Sequence, residues 1–115
     1  MKKAALLLAL LSILMLAALS AKDNSALDSI QISPNPMTKH TEITLVFGQA
    51  TPLGVTIETA SGAVVKTLFS GQSQEFMVLP WDRCGNDGSY TPAGEYYVVV
   101  AEGRYTSTKK TLILK

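Results

Sequence analysis

Residue types that do chemistry gather in two places of this sequence: around His40 and in the stretch Asp82-Arg83-Cys84-Gly85-Asn86-Asp87-Gly88. His40 is the only histidine and Cys84 the only cysteine. His40 lies in a polar connection, Thr38-Lys39-His40-Thr41, with no Ser, Cys or Asp at a spacing that would mark a nucleophile and its base. The carboxylates are scattered singly, so the paired acids of a glycosidase are unsupported. Asp82, Asn86 and Asp87 form an oxygen-rich loop with Gly85 and Gly88, and such loops can hold Ca²⁺. Their spacing departs from the EF-hand pattern, and Asn and Asp also serve turns by capping local N–H groups. The turn reading is preferred, with the metal reading kept as the minor alternative. No catalytic residue and no cofactor is expected. A lone cysteine cannot staple the chain internally, so its core must hold by packing.

The elements that position these residues alternate at the strand period. The pattern predicts strands over 27–33, with Ile30 and Ile32 on one face, and 42–47, with Ile43, Leu45 and Phe47 on one face. It predicts further strands over 53–59 with Val55 and Ile57 inward, 63–69, and 75–81 with Met77, Leu79 and Trp81 together. Val65 and Leu68 are three apart, which implies a bulge. Turns are expected at Ala60-Ser61-Gly62 and at Ser70-Gly71-Gln72-Ser73. Pro80 places its strand at a sheet edge. A hairpin built on Val98-Val99-Val100 and on Lys109 to Lys115 completes about seven strands. The fold class that follows is all-β: a single immunoglobulin-like antiparallel β-sandwich over 27–115, with Trp81 as a packing anchor.

Met1-Lys2-Lys3, an apolar run from Ala4 to Leu19, and small residues before Lys22-Asp23 make up a signal peptide over 1–21, with a short linker over 22–26. Cleavage is expected after Ala21 or Ser20, and no Cys follows the apolar run to carry a lipid. Without Lys2 and Lys3 the ten basic residues become eight against nine acidic ones. A near-neutral chain with no basic cluster has no electrostatic reason to bind nucleic acid, and membrane contact is expected only through the signal peptide during export.

Four blocks carry a family resemblance. Ser33-Pro34-Asn35-Pro36 precedes Glu42-Ile43-Thr44-Leu45-Val46-Phe47. Ser61-Gly62 precedes Val65 and Leu68. Trp81-Asp82 is followed by Gly88 and then by Pro92-Ala93-Gly94-Glu95-Tyr96. Lys110-Thr111-Leu112-Ile113-Leu114-Lys115 closes the sequence. In order and at this spacing the chain resembles the C-terminal sorting domain of the bacterial type IX secretion system, and the related immunoglobulin-like domain of the flagellar hook-capping protein. That family often carries Gly directly after Trp-Asp, where this chain has Arg83.

The resemblance implies a non-enzymatic exported module, found in the periplasm, at the cell surface or in the medium, and recognised by an export machine through its fold and terminal strand, Lys110 to Lys115. An edge strand there offers N–H and C=O groups that a protein partner could extend. A sorting domain normally follows a larger cargo, whereas here the signal peptide abuts it. The alternatives are therefore a stand-alone structural or assembly module that binds a protein partner, or a fragment that has lost its cargo. Tyr90, Tyr96, Tyr97 and Tyr105 are expected around the last hairpin, chiefly as cross-strand packing.

Overall fold

Period-two alternation is realised as seven strands, β1 (Leu27–Ser33), β2 (Thr41–Phe47), β3 (Pro52–Thr59), β4 (Val64–Gln72), β5 (Phe76–Trp81), β6 (Gly94–Glu102) and β7 (Thr106–Leu114). The computed structural model describes residues 25–103 and 106–115. The expected signal peptide, the first residues of the linker and Tyr105 lie outside the described residues.

All pairings are antiparallel. One sheet has the order β1-β2-β5 and the other β4-β3-β6-β7. The inward residues of both sheets, among them Ile43, Leu45, Val55, Ile57, Val98, Val100 and Leu112, are fully buried and form one core. Ile30, Ile32, Met77 and Leu79 pack against it. This is an immunoglobulin-like sandwich in which β4 joins the β3-β6-β7 sheet. The expected Trp81 anchor is 2% exposed, and its indole Nε1–H donates to the Cys84 carbonyl at 2.9 Å. Burying the ring while pairing its polar edge is how an indole joins a core without loss.

The bulge predicted in the fourth strand occurs twice. Val55 faces Phe69 and Thr56 faces Thr67, which leaves Leu68 extra; Ile57 faces Lys66 and Glu58 faces Val64, which leaves Val65 extra. Each bulge twists the strand and turns an apolar side chain toward the core. The turn expected at Ser70–Ser73 falls elsewhere. Gly71 and Gln72 remain in the ladder opposite Leu53 and Pro52, with Gly71 at φ 145°, a conformation that glycine alone enters freely. The chain reverses after them, where Ser73 and Thr51 exchange two hydrogen bonds.

Edge positions go to β1, β5, β4 and β7. The sandwich thus has two long sides, one bordered by β1 and β7 and the other by β5 and β4.

Candidate functional site

Strand β7 pairs with β6 from Thr106 opposite Glu102 to Leu114 opposite Gly94. Its even residues Leu112 and Leu114 are buried, while Lys109, Lys110, Thr111 and Lys115 are exposed. The main-chain groups of its odd residues face away from β6. Over the last part of the strand the segment after β1 takes up those groups. Asn35 Nδ2 donates to the Thr111 carbonyl at 2.9 Å, and the Ile113 N–H donates to Asn35 Oδ1 at 3.0 Å. The Asn35 carboxamide therefore sits where a peptide group of a neighbouring strand would sit. Met37 continues the pairing: its N–H donates to the Ile113 carbonyl at 2.8 Å, and the Lys115 N–H donates to the Met37 carbonyl at 2.9 Å.

Met37 holds this segment down, because its side chain is fully buried. Thr41, also fully buried, donates its hydroxyl to the Pro34 carbonyl at 2.7 Å. Pro34, Asn35 and Pro36, the opening motif of the sequence, thus become a clasp on its closing motif. Further along the same side Lys110 Nζ donates to the Ile30 carbonyl at 3.0 Å. At the other end Glu102 accepts from the Ser25 hydroxyl at 2.6 Å and from the Ala26 N–H at 2.7 Å. The strand offered by sequence as an open edge is occupied from Thr111 onward.

Arg83 adds a second fastening. It adopts φ 70°, the left-handed region in which a Cβ is costly, at the position where the resembling family often has glycine. Its guanidinium is buried, with Nε donating to the Thr91 carbonyl at 2.8 Å. Nη1 donates to the Thr38 carbonyl and, at 3.1 Å, to the Lys115 carbonyl. The exposed Tyr90 ring covers it, 4.7 Å from the guanidinium carbon to the ring centroid. One side chain so joins the loop after β5, the lead-in to β2 and the end of β7. The sequence marks Arg83 only as a departure from the resembling family's glycine and does not mark Met37; a lone Met after Pro-Asn-Pro and an Arg in a polar loop carry no periodic signal.

Asp82 and Asp87 each serve their own turn through one carboxylate oxygen. Asp82 Oδ1 accepts from the Cys84 N–H at 2.9 Å. Asp87 Oδ1 accepts from the Ser89 hydroxyl at 2.7 Å and from its N–H at 2.9 Å. These bonds, the hydroxyl first, hold the Asp87 carboxyl below its ordinary value. Asn86 reaches β4: its N–H donates to the Val65 carbonyl at 2.9 Å, and its Oδ1 accepts from the Thr67 N–H at 3.1 Å. A Cβ on Gly85 would come within 3.2 Å of the Val65 carbonyl, so glycine permits that approach. Gly88, at φ 81°, closes the turn with its N–H on the Gly85 carbonyl. Among the described residues no three His, Cys, Asp or Glu side chains converge as metal ligands.

The remaining motif residues shape corners. Gly62, at φ 91°, turns β3 into β4. Tyr96, whose ring lies over Gly94 at the start of β6, is buried and donates its hydroxyl to the Pro92 carbonyl at 2.9 Å. A tyrosine that bonds its own upstream backbone at this corner is a feature of immunoglobulin-like sandwiches. Tyr97 instead points to solvent and donates to Glu95 at 3.1 Å, so it shares no patch with Tyr96. His40 lines a groove of about 490 Å³ with Glu42, Lys66, Leu68, Trp81 and Asp82, between the β2–β5 end and β4. Cys84 is a half-buried free thiol.

Seven antiparallel strands, a tyrosine corner and a terminal edge strand clasped by the segment after the first strand define an immunoglobulin-like module. Residues 33–106, well over half of the chain, match the model of the FlgD Ig-like domain. The chain belongs to that family. None of the curated proteins matches it. Among solved structures it is similar to dimeric latent PorU from Porphyromonas gingivalis, at 21% identity and a TM-score of 0.60 over 74% of this chain. It is also similar to PorZ, a surface component of the type-IX secretion system of that organism, at 20% identity and a TM-score of 0.53 over 76% of this chain. The chain spans 9% of the PorU chain and 12% of the PorZ chain, and the likeness is one of fold.

Proposed function

We propose that this chain is a non-enzymatic exported module whose β7 edge, with the Pro34-Asn35-Pro36 clasp, is the surface that an export machine binds. The observation that carries the reading is the clasp. The opening and closing motifs, which carry the resemblance to the sorting domain, are hydrogen-bonded to one another between residues 76 and 78 positions apart. A surface assembled from both ends of the domain is read only when the domain is folded, which suits a machine that recognises fold and terminal strand together. The similarity of fold to PorZ, which is a component of a type-IX secretion system, supports the same reading.

The test is a reporter enzyme carrying residues 22–115 at its C-terminal end, produced behind a signal peptide in a bacterium with a type IX system. Reporter activity at the surface or in the medium is expected, and deletion of 110–115 should return it to the periplasm. A reporter that stays periplasmic with the intact domain sinks the export reading.

A second reading, a structural or assembly module that holds a partner in the periplasm or on the surface, is favoured by Phe76 and Val78, 60% and 42% exposed. They stand next to Val46 and Thr44 on the outer face of the β1-β2-β5 sheet. Mass spectrometry of the native protein separates the two readings. An intact mature chain held in the periplasm supports the assembly module, and exported material altered at its C-terminal strands supports the sorting domain.

A further inference from the structure

Four strands border this sandwich, and three of them carry a device against pairing with another chain. Strand β1 has a register shift between Leu27 and Ser29, and its Ile30 carbonyl is taken by Lys110. Strand β5 contains Pro80, which lacks a donor. Strand β4 has its Leu68 and Val65 bulges, and Asn86 covers its edge at Val65 and Thr67. Bulges, prolines and covering segments are the usual protections of sheet edges. Strand β7 differs. Its ladder to β6 is unbroken over nine residues, and the Asn35–Met37 clasp reaches only from the Thr111 carbonyl onward. Among the described residues the outward N–H and C=O groups of Ser107 and Lys109, and the N–H of Thr111, have no hydrogen-bond partner in the clasp.

Charge decides what such an edge accepts. Lys109 stands exposed on the outer face of the open stretch and Lys110, its ammonium over Ile30, on the inner side. Glu102, opposite the start of β7, is buried and committed to Ser25 and Ala26. Asp28, across on β1, lies beside Gly48. A second copy of this chain paired antiparallel through β7 would bring lysine against lysine, which disfavours self-pairing.

We infer that residues 107–111 of β7 are a strand-addition site for an extended protein segment bearing carboxylate side chains. The segment hydrogen-bonds to Ser107 and Lys109 and, alternating acids with apolar residues, places its acids on the outer face against Lys109, while the Lys110 ammonium stays on the Ile30 carbonyl. This deepens the export reading by moving the contact upstream of the clasped terminal residues, and it names the partner's chemistry.

The experiment uses the chain without its signal peptide and two synthetic hexapeptides, one alternating Glu with Val and one alternating Lys with Val. Amide exchange and chemical shifts are followed by NMR with each peptide up to millimolar concentration. The Glu peptide should slow exchange at Ser107, Lys109 and Thr111 while leaving β5 and β1 amides unchanged, and the Lys peptide should not bind. Lys109→Glu should weaken binding by about threefold to tenfold, the scale of one exposed charge contact reversed. Lys109→Pro removes an outward N–H that β6 does not use, and should weaken binding by about tenfold or more. Retained shifts of the core residues Val98 and Leu112 in the Glu variant check the fold, and that variant carries the test should the proline variant not fold.

Equal binding of both peptides overturns the charge argument. Protection at β5 or β1, no binding of either peptide, or peptide-free protection that grows with protein concentration overturns the site. The outcome is independent of secretion. Peptide binding at β7 with unimpaired export of a Lys109→Pro fusion would keep this site and separate it from export, whereas an intact-domain fusion that stays periplasmic would end the export reading and leave this site standing.

Discussion

Two asparagines, Asn35 and Asn86, each lie along an edge strand on opposite sides of the sandwich, and they do so by different means. Asn35 covers β7 with its side chain alone, which both donates to Thr111 and accepts from Ile113. Asn86 covers β4 with its main-chain N–H on Val65 and its side-chain oxygen on Thr67. The β1–β7 side is then fastened further by Met37, Lys110 and Arg83, so that the end of the last strand is fixed from three directions. The β4–β5 side has no such ties between its strands among the described residues, and grooves of about 490 and 280 Å³ run along it. The contrast teaches that closing an edge and packing a side are separate tasks. A carboxamide closes an edge locally, whereas joining two sheets needs side chains that cross between them.

The largest effects should come from the residues that fill the core beneath each side. Trp81→Ala should cost about 3–5 kcal/mol and Met37→Ala about 2–5 kcal/mol in chemical denaturation, because each opens a cavity in packed surroundings. Phe76→Ala, at a side chain 60% exposed, should stay within about 0.5 kcal/mol. A Met37→Ala cost as small as that of Phe76→Ala would break the distinction between a fastened side and a loose one.

Smaller effects sharpen the asparagine comparison itself. Asn35→Ala removes both bonds of its clasp and should cost about 1–2 kcal/mol, whereas Asn86→Ala keeps the main-chain bond and should cost about 0.5–1 kcal/mol. Hydrogen exchange should locate each loss: Ile113 in the first variant, Thr67 in the second. Equal costs, with exchange rising in both strands for either variant, would mean that the two clasps are not local.

Much of this fold was legible in the sequence because it depends on alternation. Ile43, Leu45 and Phe47, then Val55 and Ile57, fix which face of β2 and β3 is inward, and every one of them is buried. Pro80 placed β5 at an edge by a local rule, and the three-residue step from Val65 to Leu68 announced a bulge. The end of β4 was misplaced because Ser70-Gly71-Gln72 reads as a turn by composition, while Pro52 and Leu53 continue the ladder across from it. That pairing is non-local, so no window around Gly71 contains it. The candidate site was half legible. The terminal strand was recognised as an edge, but its cover comes from Asn35 and Met37, more than seventy residues away. Arg83 shows the same limit from the other direction. Its departure from the family's glycine was visible, and only the structure shows three carbonyls gathered around its guanidinium.

The smallest effect follows from the chemistry beneath the two clasps. Asn86 is positioned by a turn in which the Asp87 carboxylate accepts two bonds from Ser89, and these hold its pKa below the ordinary 3.8. A lowered folded pKa means that the ionised form favours the turn. The contribution is present above about pH 4 and is lost as pH falls through the folded value. The Asn35 clasp contains no titrating group. An NMR titration toward pH 2 should therefore show the Ser89 and Thr67 amides shifting together with a midpoint below 3.8. In Asp87→Asn the Ser89 and Thr67 response should disappear, while the Ile113 amide should behave as it does in the parent chain. If Ile113 instead follows Asp87 and loses its titration in the variant, the two sides of the sandwich are coupled, and the division between them does not describe how this domain responds to acid.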